Sequence, residues 1–191
     1  MKTYRINEIF YSLQGEGFWT GTPMVFVRLS GCNLRCPFCD TDHAGYTEMN
    51  MVEIIDGIRK AAPDCRRICI TGGEPALQTD EAFTSALHEA GFLLHIETNG
   101  TRELPAGIDW ITVSPKSDAT DHPAAKVVLI QADELKLVYQ GNDVEKWAAY
   151  PARHHFLQPC SCSNTEETIQ YILQHPHWRL SLQTHKYLSI P

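Results

Sequence analysis

The segment Arg67-Ile68-Cys69-Ile70-Thr71-Gly72-Gly73 decides the fold. A short apolar, β-branched run that ends on two glycines reads as a buried strand opening into a loop. Residues 79–90 then follow a helical pattern that Gly91 closes, and residues 92–97 form the next strand. Such strand–helix–strand alternation argues for a mainly parallel sheet.

The same grammar extends in both directions. Upstream, Met24-Val25-Phe26-Val27-Arg28-Leu29 is a strand bounded by Gly21/Pro23 and Gly31, and residues 32–47 form a loop rich in Cys, Pro, Asp and Gly. Val52, Ile55, Ile58 and Arg59 share a helical period, which predicts a helix over 51–62 that Pro63 stops. Downstream, strands are expected at 108–113, 134–139, 153–157 and 178–182. A helix spans 165–174, with Asn164 as N-cap and Glu167 at the capping-box position. The chain shows no repeat, low-complexity segment or linker, so a single domain over 1–191 is expected. The helices are too few for eight complete βα units, and the length is below that of a usual barrel. The expected fold is therefore α/β: a partial, open TIM-like barrel with mainly parallel strands and fewer helices than a full barrel. Its functional groups should gather at the C-terminal ends of the strands.

Composition narrows the function. Sixteen Lys and Arg stand against 23 Asp and Glu, a net charge of −7, which argues against sequence-blind nucleic-acid binding. The N-terminal residues lack an apolar signal core and no run is long enough to span a membrane, so a cytoplasmic protein is the expectation. In that compartment seven cysteines are expected to stay reduced, and a tight group of them points to a metal or redox centre.

That group is Cys32-Asn33-Leu34-Arg35-Cys36-Pro37-Phe38-Cys39. Gly31 and Pro37 oppose a helix here, and on a loop three thiolates can converge on one small object. Two readings stand on the residues alone. Zinc would recruit a fourth ligand, which His43 could supply. An iron–sulfur cluster normally takes four cysteines, so three would leave one iron open to an exogenous chelate.

The spacing Cys-x3-Cys-x2-Cys, with an aromatic before the last cysteine, resembles the signature of the radical S-adenosylmethionine (SAM) superfamily. Thr71-Gly72-Gly73-Glu74-Pro75 resembles that superfamily's motif for the SAM amino group. Several further blocks are similar to one family within it, the 7-carboxy-7-deazaguanine synthases. These are Glu8-Ile9-Phe10-Tyr11-Ser12-Leu13-Gln14-Gly15-Glu16-Gly17, Cys39-Asp40-Thr41-Asp42, Glu97-Thr98-Asn99-Gly100-Thr101, Ser114-Pro115-Lys116, Gln158-Pro159 and the ending His185-Lys186-Tyr187-Leu188-Ser189-Ile190-Pro191.

The resemblance implies a 4Fe–4S cluster on Cys32, Cys36 and Cys39, with SAM on its open iron. SAM is cleaved to a 5′-deoxyadenosyl radical and later regenerated, so no side chain is assigned as the catalyst. It implies conversion of 6-carboxy-5,6,7,8-tetrahydropterin to 7-carboxy-7-deazaguanine, a ring contraction with loss of ammonia on the route to queuosine-type deazapurines. SAM contacts are implied for Phe38, Gly73, Glu74, Gly100, Ser114, Pro115, Lys116 and Gln158. Substrate contacts are implied for Leu13, Gln14, Gly15, Arg28, Thr98 and Pro191, within a segment 8–17, a cluster loop 31–43 and a tail 185–191. Mg²⁺ is implied on Thr41, although by spacing alone Asp40 and Asp42 would serve as well.

Residue chemistry agrees at two places. Arg28 offers a planar fork for a carboxylate, and the α-carboxylate of Pro191 would match the paired donors of a pterin edge. The resemblance also implies a homodimer and a flavodoxin- or ferredoxin-type electron donor, with neither nucleic acid nor membrane as a direct partner. A glycyl-radical activase and a non-catalytic zinc module on Cys32, Cys36, Cys39 and His43 are the alternatives. Cys65, Cys69, Cys160 and Cys162 receive no role from sequence, with Cys69 expected in the core, and the histidines are not expected to bind metal.

Overall fold

The computed structural model describes residues 2–117 and 123–191. Its strands are β1 (Tyr4–Leu13), β2 (Pro23–Leu29), β3 (Thr47–Met49), β4 (Arg67–Gly72), β5 (Leu93–Thr98), β6 (Trp110–Val113), β7 (Ala132–Tyr139), β8 (Ala152–Pro159) and β9 (Arg179–Leu180). They form one nine-stranded sheet in the order β3-β1-β2-β4-β5-β6-β7-β8-β9. From β2 onward along that order every pairing is parallel, and β1 joins antiparallel to β2 and β3. The helices are α1 (Met51–Ala61), α2 (Glu81–Glu89), α3 (Thr165–Gln174) and the short α4 (Thr184–Leu188). The architecture is the partial, open barrel expected, with short 3-10 turns and loops where a full barrel would carry helices.

The helix ends follow from capping. Asn50 accepts from Val52 and Glu53 N–H while the Glu53 carboxylate takes the Asn50 N–H, a complete capping box at the start of α1. Asp80 caps α2 by accepting from Phe83 N–H. Asn164 corrects the expectation. It makes no side-chain cap on α3. Its amide carbonyl instead accepts from Cys160 N–H at 2.8 Å and its NH₂ donates to the Tyr139 carbonyl at 2.9 Å, which pins the turn after β8 to β7.

Strand alternation separates core from cavity. On β4 and β5, Ile68, Ile70, Leu94 and Ile96 point outward to a core with Ile54 and Ile58 of α1 and Phe83 and Leu87 of α2. Each such aliphatic residue contributes about 1.5–3 kcal/mol by leaving water. Residues between them, Cys69, Thr71 and Glu97, point inward and line the cavity. Cys69 is buried, as expected, and it lies on the inward face, against the cavity. A second core, of Leu135, Leu137, Leu157 and Trp178 among others, covers the outer face of β7 and β8.

β1 was not foreseen as a strand. Its register shifts between Ile6 and Glu8, so Tyr4 and Ile6 join the outer core while Glu8 and Phe10 line the cavity. A bulge breaks the period-two pattern by which a strand is read.

Candidate active site

The strands converge on an open cavity of about 810 Å³. Fifteen of the residues singled out in the sequence line it: Leu13, Gln14, Gly15, Arg28, Cys32, Cys36, Phe38, Cys39, Thr41, Gly73, Thr98, Ser114, Lys116, Gln158 and Pro191. Glu74, Gly100 and Pro115 do not form its wall.

The cysteine loop is fastened on three sides. Gly31 N–H donates to the His43 carbonyl at 3.2 Å, and Ser30 Oγ bonds the same oxygen. Asn33 donates to Thr101 Oγ1 at 2.8 Å and accepts from the Asn99 side chain at 3.1 Å. The third side is the Gly72-Gly73-Glu74 exit of β4. Gly73 N–H donates to the Leu29 carbonyl at 3.2 Å, and Glu74 N–H donates to the Gly31 carbonyl at 2.9 Å. A Cβ on Gly73 would lie 2.3 Å from that Gly31 oxygen, so only glycine permits the approach. Within the loop, Leu34 N–H points at Cys32 Sγ at 3.4 Å, and Cys39 N–H donates to the Cys36 carbonyl at 3.1 Å. Burial raises the thiols of Cys32 and Cys36, an effect that the nearby Lys116 ammonium opposes at Cys36.

Glu74 is 0% exposed. Its carboxylate accepts from Thr98 Oγ1 at 2.6 Å, Asn99 N–H at 2.7 Å and Ala76 N–H at 3.0 Å, tying the exit of β4 to that of β5. Gly100 has φ +77°, and a Cβ there would meet Val113 at 2.9 Å and Val127 at 3.1 Å, so its missing side chain makes room for packing. Pro115 is buried between Ser114 and Lys116. Lys116 Nζ bonds Ser114 Oγ at 2.7 Å and lies 5.9 Å from the centre of the Phe38 ring.

A buried charge network, absent from the sequence reading, supports the cavity from below. Lys136 of β7 pairs with Glu16 at 2.6 Å and with Glu97 of β5 at 2.8 Å. Gln14 donates to Glu97 at 3.2 Å, and Gln183 to Glu16 at 3.0 Å. Burial alone would raise Glu16, but Lys136 overrides it and brings the carboxyl down to about 2. Burial likewise disfavours the Lys136 ammonium, and the carboxylates around it reverse that and hold it protonated. Glu97 is raised, chiefly by burial, with Lys136 working against it.

Charge also closes the rim. Arg28 Nε bonds Glu8 at 2.6 Å. Lys186 of α4 bonds Asp40 at 2.6 Å, and Asp42 accepts from Ala44 N–H at 3.0 Å, so both carboxylates that flank Thr41 are engaged by the protein. Ser12 Oγ donates to the Pro191 carbonyl at 2.7 Å, which brings the tail against β1. Cys160 also faces the cavity, where it accepts from Gln140 at 3.5 Å. Among the described residues, no three His, Cys, Asp or Glu side chains gather closely enough to hold a single metal ion. Three thiols on the wall of a wide cavity suit an object larger than one ion, which disfavours the zinc module.

The radical SAM superfamily model matches residues 26–130. The chain is 53% identical over 186 residues to the 7-carboxy-7-deazaguanine synthase of Bacteroides thetaiotaomicron, covering 97% of this chain and 98% of that one. It is 42% identical to the synthase of the same name from Caulobacter vibrioides, covering 99% and 100%. Among solved structures, QueE from Escherichia coli superposes with a TM-score of 0.80 at 28% identity, covering 94% of this chain and 93% of that one.

Proposed function

Since the chain belongs to the 7-carboxy-7-deazaguanine synthases of the radical SAM superfamily, we propose how its cavity divides between cluster, SAM and substrate. The chain is a radical SAM enzyme of 7-deazapurine biosynthesis, and neither the activase nor the zinc alternative is favoured. The observation that carries the division is the convergence of Cys32, Cys36 and Cys39 with the Lys136 network on one cavity.

The three thiols fit a 4Fe–4S cluster in number and exposure to the cavity, with the Leu34 N–H aimed at Cys32 sulfur. When bound, cluster and SAM supply one-electron chemistry that starts hydrogen abstraction from substrate. In this proposal Phe38, Gly73, Ser114, Lys116 and Gln158 hold SAM from the wall. Glu74, Gly100 and Pro115 shape that wall from behind, Glu74 by holding Thr98 and the Asn99 and Ala76 amides in place.

Leu13, Gln14, Gly15, Arg28, Thr98 and Pro191 hold 6-carboxytetrahydropterin, and the Arg28 guanidinium faces its carboxylate. Mg²⁺ would be held at Thr41, the position that the family resemblance implies, where it would meet a hard oxygen ligand. The reading includes a single domain over residues 1–191, a homodimer, a flavodoxin- or ferredoxin-type donor and a cytoplasmic setting. Among the described residues no helix is long and apolar enough to cross a membrane.

Anaerobic incubation of reconstituted protein with SAM, reductant and carboxytetrahydropterin tests the assignment. Mass spectrometry should find 7-carboxy-7-deazaguanine, with SAM not consumed in step with product. Cluster-loaded protein that yields 5′-deoxyadenosine but no deazaguanine would overturn the substrate.

A further inference from the structure

The turn that carries Gln14–Glu16 into the cavity is held from beneath by a residue that does not itself line the cavity. Residues 14–22 connect β1 to β2 at the lower end of the barrel, yet Gln14, Gly15 and Glu16 line the cavity. The chain must therefore fold up into the barrel and stay there. Two consecutive amides fix it. Gly17 N–H donates to Ser181 Oγ at 2.9 Å, and Phe18 N–H donates to Glu134 Oε2 at 3.0 Å.

Glu134 is 2% exposed and stands on the inward face of β7, two residues before Lys136. Its second oxygen, Oε1, is buried with no hydrogen-bond partner. Carboxylates so placed are costly, which asks for a compensating role. Gly17 records the closeness of the fit. It has φ +65°, and a Cβ on it would lie 1.9 Å from Glu134 Oε1. Below the turn, Phe18 stacks on Trp110 and His154 with ring centres 5.0 and 4.4 Å away, so the turn cannot settle downward without displacing those rings.

We infer that Glu134 is a positioning residue that sets the height of Gln14–Glu16 in the substrate end of the cavity through the Gly17–Phe18 turn. The inference rests on the assignment of Gln14 and Gly15 to the pterin. Glu134 reaches them through the Phe18 amide and its close contact with Gly17, and electrostatically through Lys136, Glu97 and Glu16. Removal of its side chain lets the turn relax, which misplaces the groups that grip substrate while leaving the cysteine loop, on the opposite rim, as it was.

The test compares Glu134→Ala and Glu134→Gln in reconstituted holoenzyme. In Glu134→Ala, the KM for carboxytetrahydropterin should rise about 10-fold or more, with kcat falling less than about threefold. The KM for SAM and substrate-free 5′-deoxyadenosine formation should stay close to wild type. Glu134→Gln keeps a carbonyl acceptor for the Phe18 amide and should restore most of the lost pterin affinity.

An unchanged pterin KM in Glu134→Ala overturns the inference. So does an equal rise for SAM, or a Glu134→Gln variant as impaired as Glu134→Ala. If Glu134→Ala does not fold or take up iron, Glu134→Asp replaces it: the carboxylate then stands one methylene further from Phe18. A raised pterin KM supports the inference and an unchanged one overturns it. A wild-type enzyme that makes no deazaguanine would instead sink the substrate reading, independently of the variants.

Discussion

At the upper end of the barrel, where β2, β4, β5 and β8 finish, the working groups arrive on loops that backbone and side-chain hydrogen bonds hold together. At the lower end, where the same strands begin, the barrel is closed by rings. Phe18, Trp19, His95, Trp110 and His154 stack or meet edge to face, with Arg67 lying 4.6 Å over Trp19. Burial and the Arg67 charge bring His95 down to about 4, so this imidazole stays neutral among the rings. The upper end spends residues on chemistry and the lower end on stability. The Lys136 network between them is where the two meet. Variants at the top should lose activity while the protein stays folded, and variants in the supports should lose stability first.

The largest effect belongs to the rim. Replacing Cys32, Cys36 or Cys39 by Ala should abolish iron-dependent absorbance and SAM cleavage. The melting temperature of the apoprotein should hardly move, since none of the three thiols is fully buried. Anaerobic iron analysis with a thermal melt checks both halves. A variant that keeps a full cluster contradicts the ligand assignment, and a large drop in apoprotein stability erases the contrast between the two ends.

This contrast also explains what the sequence made legible. The rim is spelled in contiguous blocks, because a loop that must wrap a ligand draws its groups from neighbouring positions. Cys32 to Cys39 and Thr71 to Pro75 were therefore readable, and so was the strand–helix–strand alternation that sets them on the barrel. The support under the cavity is not contiguous. Lys136 meets Glu97 from 39 positions away and Glu16 from 120, and each sits singly in a strand or turn. Nothing local distinguishes such a residue from one on a solvated face. β1 was hidden for another reason, its bulge. Asn164 was misread because its side chain bonds Cys160 and Tyr139, partners that only the fold brings near.

Glu74 sharpens the comparison because it sits at the top but is built like a support. Its carboxylate satisfies three donors in full burial. Glu74→Ala would leave Thr98 Oγ1 and the Asn99 and Ala76 amides without their acceptor, at a cost of about 2–4 kcal/mol. Chemical denaturation of the apoprotein should report that loss in the absence of any SAM. If stability is unchanged and only the KM for SAM rises, Glu74 belongs wholly to the ligand and the upper end is uniform after all.

The smallest expected effect lies at the bottom, in the pH dependence of stability. Burial raises the Glu134 carboxyl from an ordinary 4.5 to about 7, with Lys136 opposing the rise and Glu97 adding to it. The folded protein thus keeps a proton that the unfolded chain releases between those values, and stability contributed by this group falls as pH climbs through that window. His95 works the other way. Its value of about 4 lies below the usual 6.5, so the folded state binds fewer protons and stability rises with pH between the two. The two slopes overlap in wild type, which is why a single melting curve against pH will not reveal either. Glu134→Gln removes one and leaves the other. The difference in melting temperature, variant minus wild type, should then grow from pH 5 to pH 8 by roughly 5–10 °C. A difference that stays flat means that Glu134 is ionised throughout. The support under the Gly17–Phe18 turn would then hold a full carboxylate charge, and burial would not be what governs Glu134.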